Sequence, residues 1–431
     1  MRNAKTLSAV GALIVFLLGT QPASGQLPGA SPATLGTANN YMALSRGFAA
    51  IGLNPAGLGL PDTEGFSLAL APLTVNQSLD PLTFSDIFDY EGRLVPTSVK
   101  EDWLQQIAAA GGQTGSGAVE LTAFSFSYNN FGLQLSTIAS GRTTLNDDAA
   151  ELLLFGNAGR TGVPGDFELQ GSGMTGYAVT TLGFSAGFPL SRRWVPGVEQ
   201  GLSIGGAIKQ SWGHALAFAE DGGTLAQSDP LGLELDFPVI HPAEDGSNWG
   251  RGSGIGLDLG IAWQRGPWVA SGVVKNIFNT FEWDLAELVY RPGEAVFDAD
   301  TNSSDFDEQP ASAAPAALQD KVKELTFKPV LAIGGAYEAL ENLTVTAELR
   351  QRLGDGLDTG PKSHLGIGMQ YFPTAHVPLR AGFAVITDGF QLGGGLGLIL
   401  GPVHLGLGAL YQTGDVGDGV AGTFGLSFGG S

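Results

Sequence analysis

The stretch LTAFSFSYNNFGLQLSTIAS, from Leu121 to Ser140, decides the fold. Large apolar residues alternate with small polar ones on both sides of Asn129 and Asn130, and asparagine tolerates the positive φ of a two-residue hairpin turn. Such a turn pairs the large side chains across two strands: Tyr128 with Phe131, Phe126 with Leu133, and Phe124 with Leu135. The stretch therefore predicts an antiparallel hairpin with one apolar face.

The same alternation recurs along the chain. It is present in IGLDLGIAW (255–263), in NLTVTAELRQ (342–351) and, between short turns, from His364 to Phe428. Counting such segments predicts an all-β protein of about 14 strands, within a range of roughly 12 to 16.

Two architectures fit repeated hairpins, a soluble sandwich or barrel and a transmembrane β-barrel. The strands contain few charges, while acidic residues gather in long loops such as FDADTNSSDFDEQP (297–310). Aromatic residues lie toward the strand ends: Tyr128, Trp263, Tyr371 and Tyr411. This pattern favours the transmembrane barrel, with long loops outside the cell and short turns in the periplasm.

Three long acidic loops are expected, at 74–117, 213–252 and 284–321. Two segments within or between such loops have helical signals. VKEDWLQQIAAAGG (99–112) has helical apolar spacing and ends at glycine, and LNDDAAELLLFGNAG (145–159) begins with Asn and Asp. We therefore expect short helices at the mouth of the barrel.

The N-terminus predicts export. Arg2 and Lys5 precede a short apolar run and small residues, which is the layout of a signal peptide over residues 1–25. The chain has no cysteine, which excludes a disulfide framework, and its net charge of -21 argues against a nucleic-acid partner. Export of a barrel predicts the outer membrane of a diderm bacterium.

The segment LSRGFAAIGLNPAGLGL (44–60) precedes the first strand and is apolar, so it leaves water most readily by entering the barrel. We therefore expect a hatch over residues 26–62 and a barrel wall over 63–431. Hatch movement or ligand gating is assigned to Asn54, Pro55, Ala56, Gly57 and Leu58. The alternative is that Asn54 and Pro55 form only a structural turn.

Five charged residues are expected to face the lumen: Lys209, Asp258, Glu348, Arg350 and Arg380. They form either a polar path for cargo or pairs that stabilise the interior. The five histidines lack metal-ligand spacing and no GxSxG motif is present, so the sequence predicts no enzyme, no cofactor and no metal site.

The stretch ALSRGFAAIGLNPAGLGL (43–60) resembles the N-terminal signature of the FadL-like outer-membrane transporters, with Asn54, Pro55 and Ala56 as its Asn-Pro-Ala motif. This resemblance implies passive transport of small hydrophobic molecules, such as long-chain fatty acids, by a barrel embedded in outer-membrane lipid. The opening is also similar to that of PorV-type barrels attached to secretion systems, and to TraF-type and other relatives. The PorV resemblance implies the alternative function, a barrel that transports nothing and instead anchors or hands over secreted partner proteins.

Overall fold

The computed structural model describes residues 27–61, 63, 65–156, 159–162, 165–190, 201–220, 224–226, 232–234, 239–242, 250–291, 295–296, 308–414 and 418–429. The predicted signal peptide, residues 1–25, lies outside this part of the chain.

Fourteen long antiparallel strands form one closed barrel. They are β1 (Phe66–Asp80), β2 (Gln113–Tyr128), β3 (Phe131–Leu145), β4 (Gly173–Pro189), β5 (Leu202–Glu220), β6 (Gly252–Arg265), β7 (Trp268–Asn279), β8 (Val330–Leu340), β9 (Leu343–Arg352), β10 (Ser363–Thr374), β11 (Val377–Ile386), β12 (Gly389–Leu400), β13 (Val403–Gln412) and β14 (Gly419–Gly429). Strand β14 pairs with β1 and so closes the sheet. The predicted fold class and strand number are confirmed.

The hairpin of β2 and β3 has the predicted register. Tyr128 pairs with Phe131, and the pairs of Phe126 with Leu133 and of Phe124 with Leu135 follow. Asn129 has φ of 49°, the left-handed conformation that the turn requires.

Side chains alternate between an apolar outer face and a polar inner face. On β10, Leu365 and Ile367 are 60% and 62% exposed on the outside, whereas the intervening His364 and Gly366 are buried inside. An exterior of this kind is stable only in lipid, and closure satisfies every strand edge there. The protein is therefore an outer-membrane barrel of a Gram-negative bacterium. Separately, the helices in the described ranges are all too short or too polar to cross a membrane.

The remaining elements are short. The helices are α1 (Pro32–Gly36), α2 (Phe48–Leu53), α3 (Phe84–Phe88), α4 (Thr97–Ala110), α5 (Asp147–Phe155) and α6 (Ala316–Glu324), and 3-10 turns cover Met42–Leu44, Pro55–Gly59, Leu285–Glu287 and Ala311–Ala313. Short strands cover Phe167–Glu168, Thr224–Ala226, Gly232–Glu234, Val239–Pro242, Glu282–Trp283, Leu288–Arg291, Ala295–Val296 and Gln309–Pro310.

Long connections lie at one end of the barrel and short turns at the other, so the end with the long connections faces outside. The expected loop bounds at 74–117 and 213–252 were wrong, because β1 continues to Asp80, β2 begins at Gln113 and β5 continues to Glu220. The strands extend beyond the apolar run because polar pairs such as Ser78 with Ser116 continue the inner face up to the rim. Most of the acidic stretch 297–310 lies outside the described residues.

Both predicted loop helices are present with shifted ends. Helix α4 begins at Thr97, directly after Pro96, and ends before Gly111, whose φ is 79°. Helix α5 begins after Asn146, whose side chain accepts a hydrogen bond from the N–H of Ala149. The expected ends were off by a few residues because caps, and not apolar spacing, set the first and last turn.

Candidate functional site: the hatch and the two ends of the lumen

Residues 27–60 pack inside the barrel and are followed by the exposed Pro61, and we call this segment the hatch. Its local structure follows from two caps that precede prolines. The Ser31 side chain accepts from the N–H of Ala33 at the start of α1, and Asn54 accepts from the N–H of Ala56 at the start of the 3-10 turn. The residues assigned to gating are all buried: Asn54, Pro55, Ala56, Gly57 and Leu58.

Asn54 joins the hatch to the barrel wall. Its Nδ2 donates to the carbonyl of Ile261 on β6 at 3.1 Å and to the carbonyl of Gly272 on β7 at 3.2 Å. The Oδ1 atom of the same side chain accepts from the N–H of Ala56 at 3.1 Å. One amide therefore bonds to groups on the hatch and on two strands of the wall.

Glycines on the inner face of the wall make room for the hatch backbone. A Cβ at Gly205 would lie 2.4 Å from the N atom of Ala56, and a Cβ at Gly187 would lie 2.4 Å from the carbonyl oxygen of Pro55. Glycines opposite other hatch residues have the same close approach: Gly132, Gly183, Gly260, Gly366, Gly382 and Gly393. Glycine at these inner-face positions therefore lets the hatch lie in direct contact with the wall backbone.

Two of the five predicted lumen charges pair with each other in the middle of the barrel. Lys209 on β5 bonds to Asp258 on β6, and both side chains are almost fully buried. Asn276 on β7 completes the group, because its Oδ1 accepts from Lys209 Nζ at 2.6 Å and its N–H donates to Asp258 Oδ1 at 2.7 Å. Each of these three buried side chains therefore has a polar partner inside the barrel.

Glu348 and Arg350 on β9 form a second pair that holds the hatch. Arg350 Nη2 lies 2.6 Å from Glu348 Oε1 and also donates to the carbonyl of Asn39 at 3.0 Å. Glu348 Oε2 accepts from the N–H of Met42 at 3.1 Å. These charges therefore bind hatch backbone groups as well as each other.

Other contacts of the hatch were not predicted from the sequence. Asn40 is 1% exposed, and its Oδ1 lies 3.0 Å from His364 Nε2 on β10. Lys275 on β7 donates to the carbonyl of Gly52 at 2.5 Å. The adjacent polar pair Asn39 and Asn40 inside an apolar segment was a signal that buried polar partners exist.

Arg380, the fifth predicted lumen charge, lies apart from the other four. It lines a cavity of about 190 Å³ between the hatch and the wall at the end with the short turns, which we call the vestibule. Its Nε donates to Gln370 Oε1 at 2.8 Å. His404 on β13 lines the same cavity.

An apolar cluster, which we call the lid, packs against the wall at the outer end of the lumen. It is formed by Phe281, Trp283, Leu288 and Phe327 from the connection between β7 and β8, with Leu318 and Val322 of α6. These side chains pack on inward-facing wall residues, including Ile138, Val179 and Leu216. Trp283 Nε1 donates to the carbonyl of Leu325 at 2.9 Å, and this hydrogen bond joins two parts of the connection between β7 and β8.

An apolar cavity of about 250 Å³ lies at the outer rim, and we call it the rim cavity. Its lining includes Leu79, Gly115 and Leu145, which alternate with the inward-facing residues of β1 to β3 and so belong to the outer face of the wall. Helices α3 to α5 cover it with Ile87, Phe88, Trp103, Ile107 and Leu154. The lining of the rim cavity does not include Asn54. Two other cavities do border hatch residues, and each has a volume of only about 30 Å³.

Three solved barrels are similar over nearly the whole chain. The toluene transporter TbuX of Ralstonia pickettii has a TM-score of 0.53 at 13% identity, covering 93% of this chain and 98% of its own. The chain has a FadL-like fold. The monoaromatic hydrocarbon channel CymD has a TM-score of 0.52 at 13% identity, covering 95% and 97%. The toluene transporter TodX of Pseudomonas putida has a TM-score of 0.50 at 13% identity, covering 94% and 99%.

No protein-family model and no curated protein matches the chain. The similarity to the solved barrels confirms the resemblance to FadL-like barrels at the level of the fold. Within the described ranges there is also no group of three or more His, Asp or Glu side chains placed to hold a metal ion.

Proposed function

We propose that this barrel is a passive outer-membrane transporter for small hydrophobic molecules, not an enzyme, and that the hatch is its gate. The observation that carries the proposal is how the hatch is held. The hatch contacts the wall through many individual hydrogen bonds to strand side chains and carbonyls, such as those of Asn54 and Met42. Its backbone also approaches the wall closely at glycines. A segment bound in this way can detach as a unit while the wall keeps its own strand pairing.

The cargo class is supported by two features. The similar structures are described as toluene transporters and a monoaromatic hydrocarbon channel. The rim cavity is lined mainly by apolar side chains, and its volume of about 250 Å³ exceeds the engineered cavity of about 150 Å³ that holds benzene. We propose monoaromatic hydrocarbons and long-chain fatty acids as the cargo to test.

Passage requires both closures of the lumen to open. The lid packs at the outer end with apolar side chains, and the hatch packs against the wall farther along β6, where Asn54 contacts Gly260, two residues after the buried Asp258. A hydrophobic molecule gains nothing from a path lined by paired charges. The hatch therefore has to move away from the wall, and with it the groups that Glu348 and Arg350 bind.

The test is uptake of labelled toluene and labelled oleate by cells that express the wild type, Asn54→Ala or Leu94→Ala at equal surface levels. Asn54→Ala removes two bonds between hatch and wall, so we expect faster uptake. Leu94 is 95% exposed in a loop, so Leu94→Ala is expected to match the wild type. Absence of protein-dependent uptake of both compounds contradicts transport, and equal rates for all three proteins contradict the role of the hatch.

A further inference from the structure

We infer that the vestibule binds the carboxylate of an organic acid, with the apolar body of that acid packed against the hatch. The inference rests on the proposed function, because it names a cargo class that the barrel releases toward the periplasm. The vestibule is the space of about 190 Å³ where Arg380, His404 and Ser427 of the wall face Ser31, Tyr41 and Phe48 of the hatch.

The charge of the vestibule is the first reason. The chain carries 42 acidic and 21 basic residues, yet the lining of this cavity contains two arginines and no aspartate or glutamate. Elsewhere in the described lumen, Lys209 and Arg350 each contact a carboxylate. Arg380 has no ion pair within the described ranges, so its guanidinium has room for a carboxylate from outside the chain.

The geometry of Arg380 leaves its fork open. Its Nε donates to Gln370. A Cβ at Gly397 would lie 3.3 Å from Nη1, so the end of the arginine side chain lies next to a residue of β12 that has no side chain. Arg380 and Gly397 both line the vestibule, so Nη1 lies at its edge. A carboxylate binds such a fork through two parallel hydrogen bonds.

His404 gives a second, independent indication. Its Nε2 is buried and has no hydrogen-bond partner among the residues described. Strand pairing places it directly beside Ser427 on β14, whose side chain also lines the cavity. Arg46 adds positive charge, although its own donors are directed to the carbonyls of Ala43 and Ser45 and to Gln264.

The opposite side of the vestibule is apolar. It is lined by Leu44 and Phe48 of the hatch and by Ile399 of the wall. A carboxylate at Arg380 with its carbon body on this side satisfies both halves of the cavity. A neutral hydrocarbon in the same place removes water from the guanidinium without supplying an acceptor, which is unfavourable.

The experiment measures binding to the purified full-length protein in lipid nanodiscs by calorimetry. The probes are octanoate, octan-1-ol, which keeps the chain length but not the charge, and inorganic phosphate. The variants are Arg380→Gln, Arg380→Lys and Arg265→Gln, the last removing an exposed arginine of β6 that does not line the vestibule. Heat-modifiable migration on gels establishes that each variant is a folded barrel.

We expect octanoate to bind the wild type and Arg265→Gln alike and to bind Arg380→Gln at least about tenfold more weakly. Arg380→Lys keeps the charge and loses the fork, so intermediate affinity is expected. Equal affinity of octanoate and octan-1-ol, or of wild type and Arg380→Gln for octanoate, overturns the inference. Phosphate binding as tight as octanoate overturns the claim for an organic acid. Because no transport is measured, these outcomes are independent of the uptake test.

Discussion

The side chain of Asn54 lies directly over Gly260 of β6, and a Cβ at that glycine would come within 2.0 Å of Asn54 Oδ1. The absence of a side chain on the wall is what lets the hatch asparagine reach the carbonyls of Ile261 and Gly272. A residue of the hatch and a glycine of the wall thus form one contact.

Gly260→Ala is expected to push Asn54 off the wall. Overpacking of this kind costs about 1–3 kcal/mol, and here the hatch, not the strand, is the part free to yield. Single-channel recordings in planar bilayers should show a higher conductance than for the wild type. Gly394→Ala is the matched control, because a Cβ at Gly394 has no atom within 4 Å. Equal conductance of both variants would show that the hatch does not depend on this contact.

Lys209→Met is expected to destabilise the barrel by about 3–5 kcal/mol, since it leaves the buried Asp258 without its cation. Urea unfolding from lipid vesicles, followed by tryptophan fluorescence, measures the loss. The double variant Lys209→Met/Asp258→Asn removes the charge while keeping an acceptor for the N–H of Asn276, so it should recover part of the stability. A double variant less stable than Lys209→Met would contradict the pairing.

Trp283→Ala is expected to open the lid. The substitution removes edge-to-face contact with Phe281, at a centroid distance of 5.3 Å, and the hydrogen bond to Leu325. Loss of a buried Trp costs about 3–5 kcal/mol, so protease cleavage between β7 and β8 should become faster. Trp268→Ala, which truncates a tryptophan 55% exposed on the outer wall, should leave the cleavage rate unchanged.

Helix α3 at the outer rim should loosen in acid. Thr83 donates to the Asp86 carboxylate from its hydroxyl at 2.6 Å and from its N–H at 2.8 Å, and these bonds hold the pKa of Asp86 below its usual value of 3.8. A lowered folded pKa means that the stabilisation is present above the unfolded pKa and is lost as pH falls through the folded one. Hydrogen exchange in residues 83–90, corrected for intrinsic rates, should therefore accelerate in acid in the wild type more than in Asp86→Asn.

Alternation in the sequence was enough to predict the wall. The partner of Phe126 follows from the turn at Asn129, because hairpin pairing is local and a shift by one residue would turn every apolar side chain inward. The same reasoning placed Lys209, Asp258, Glu348 and Arg350 on the inner face.

The contacts of the hatch were beyond this reasoning. Met42 bonds to Glu348 and Asn40 to His364, across more than 300 positions of sequence, and no local pattern specifies such partners. The lid was missed for a similar reason. Phe281 and Trp283 lie in a stretch that is typical of a loop, and only the closed wall gives them an apolar surface to cover.

The central claim is that the hatch must leave the wall for cargo to pass, and a reversible crosslink tests it most directly. The chain has no cysteine, and a Cβ at Gly36 of the hatch would lie 3.3 Å from Cβ of Arg380, near the separation of about 3.5–4.5 Å that a disulfide spans. Uptake of labelled toluene, a neutral cargo, is measured for Gly36→Cys/Arg380→Cys before and after reduction, with each single variant treated alike. The account predicts that the oxidised protein takes up no toluene and that reduction restores uptake. Equal uptake by the oxidised and reduced protein would contradict it.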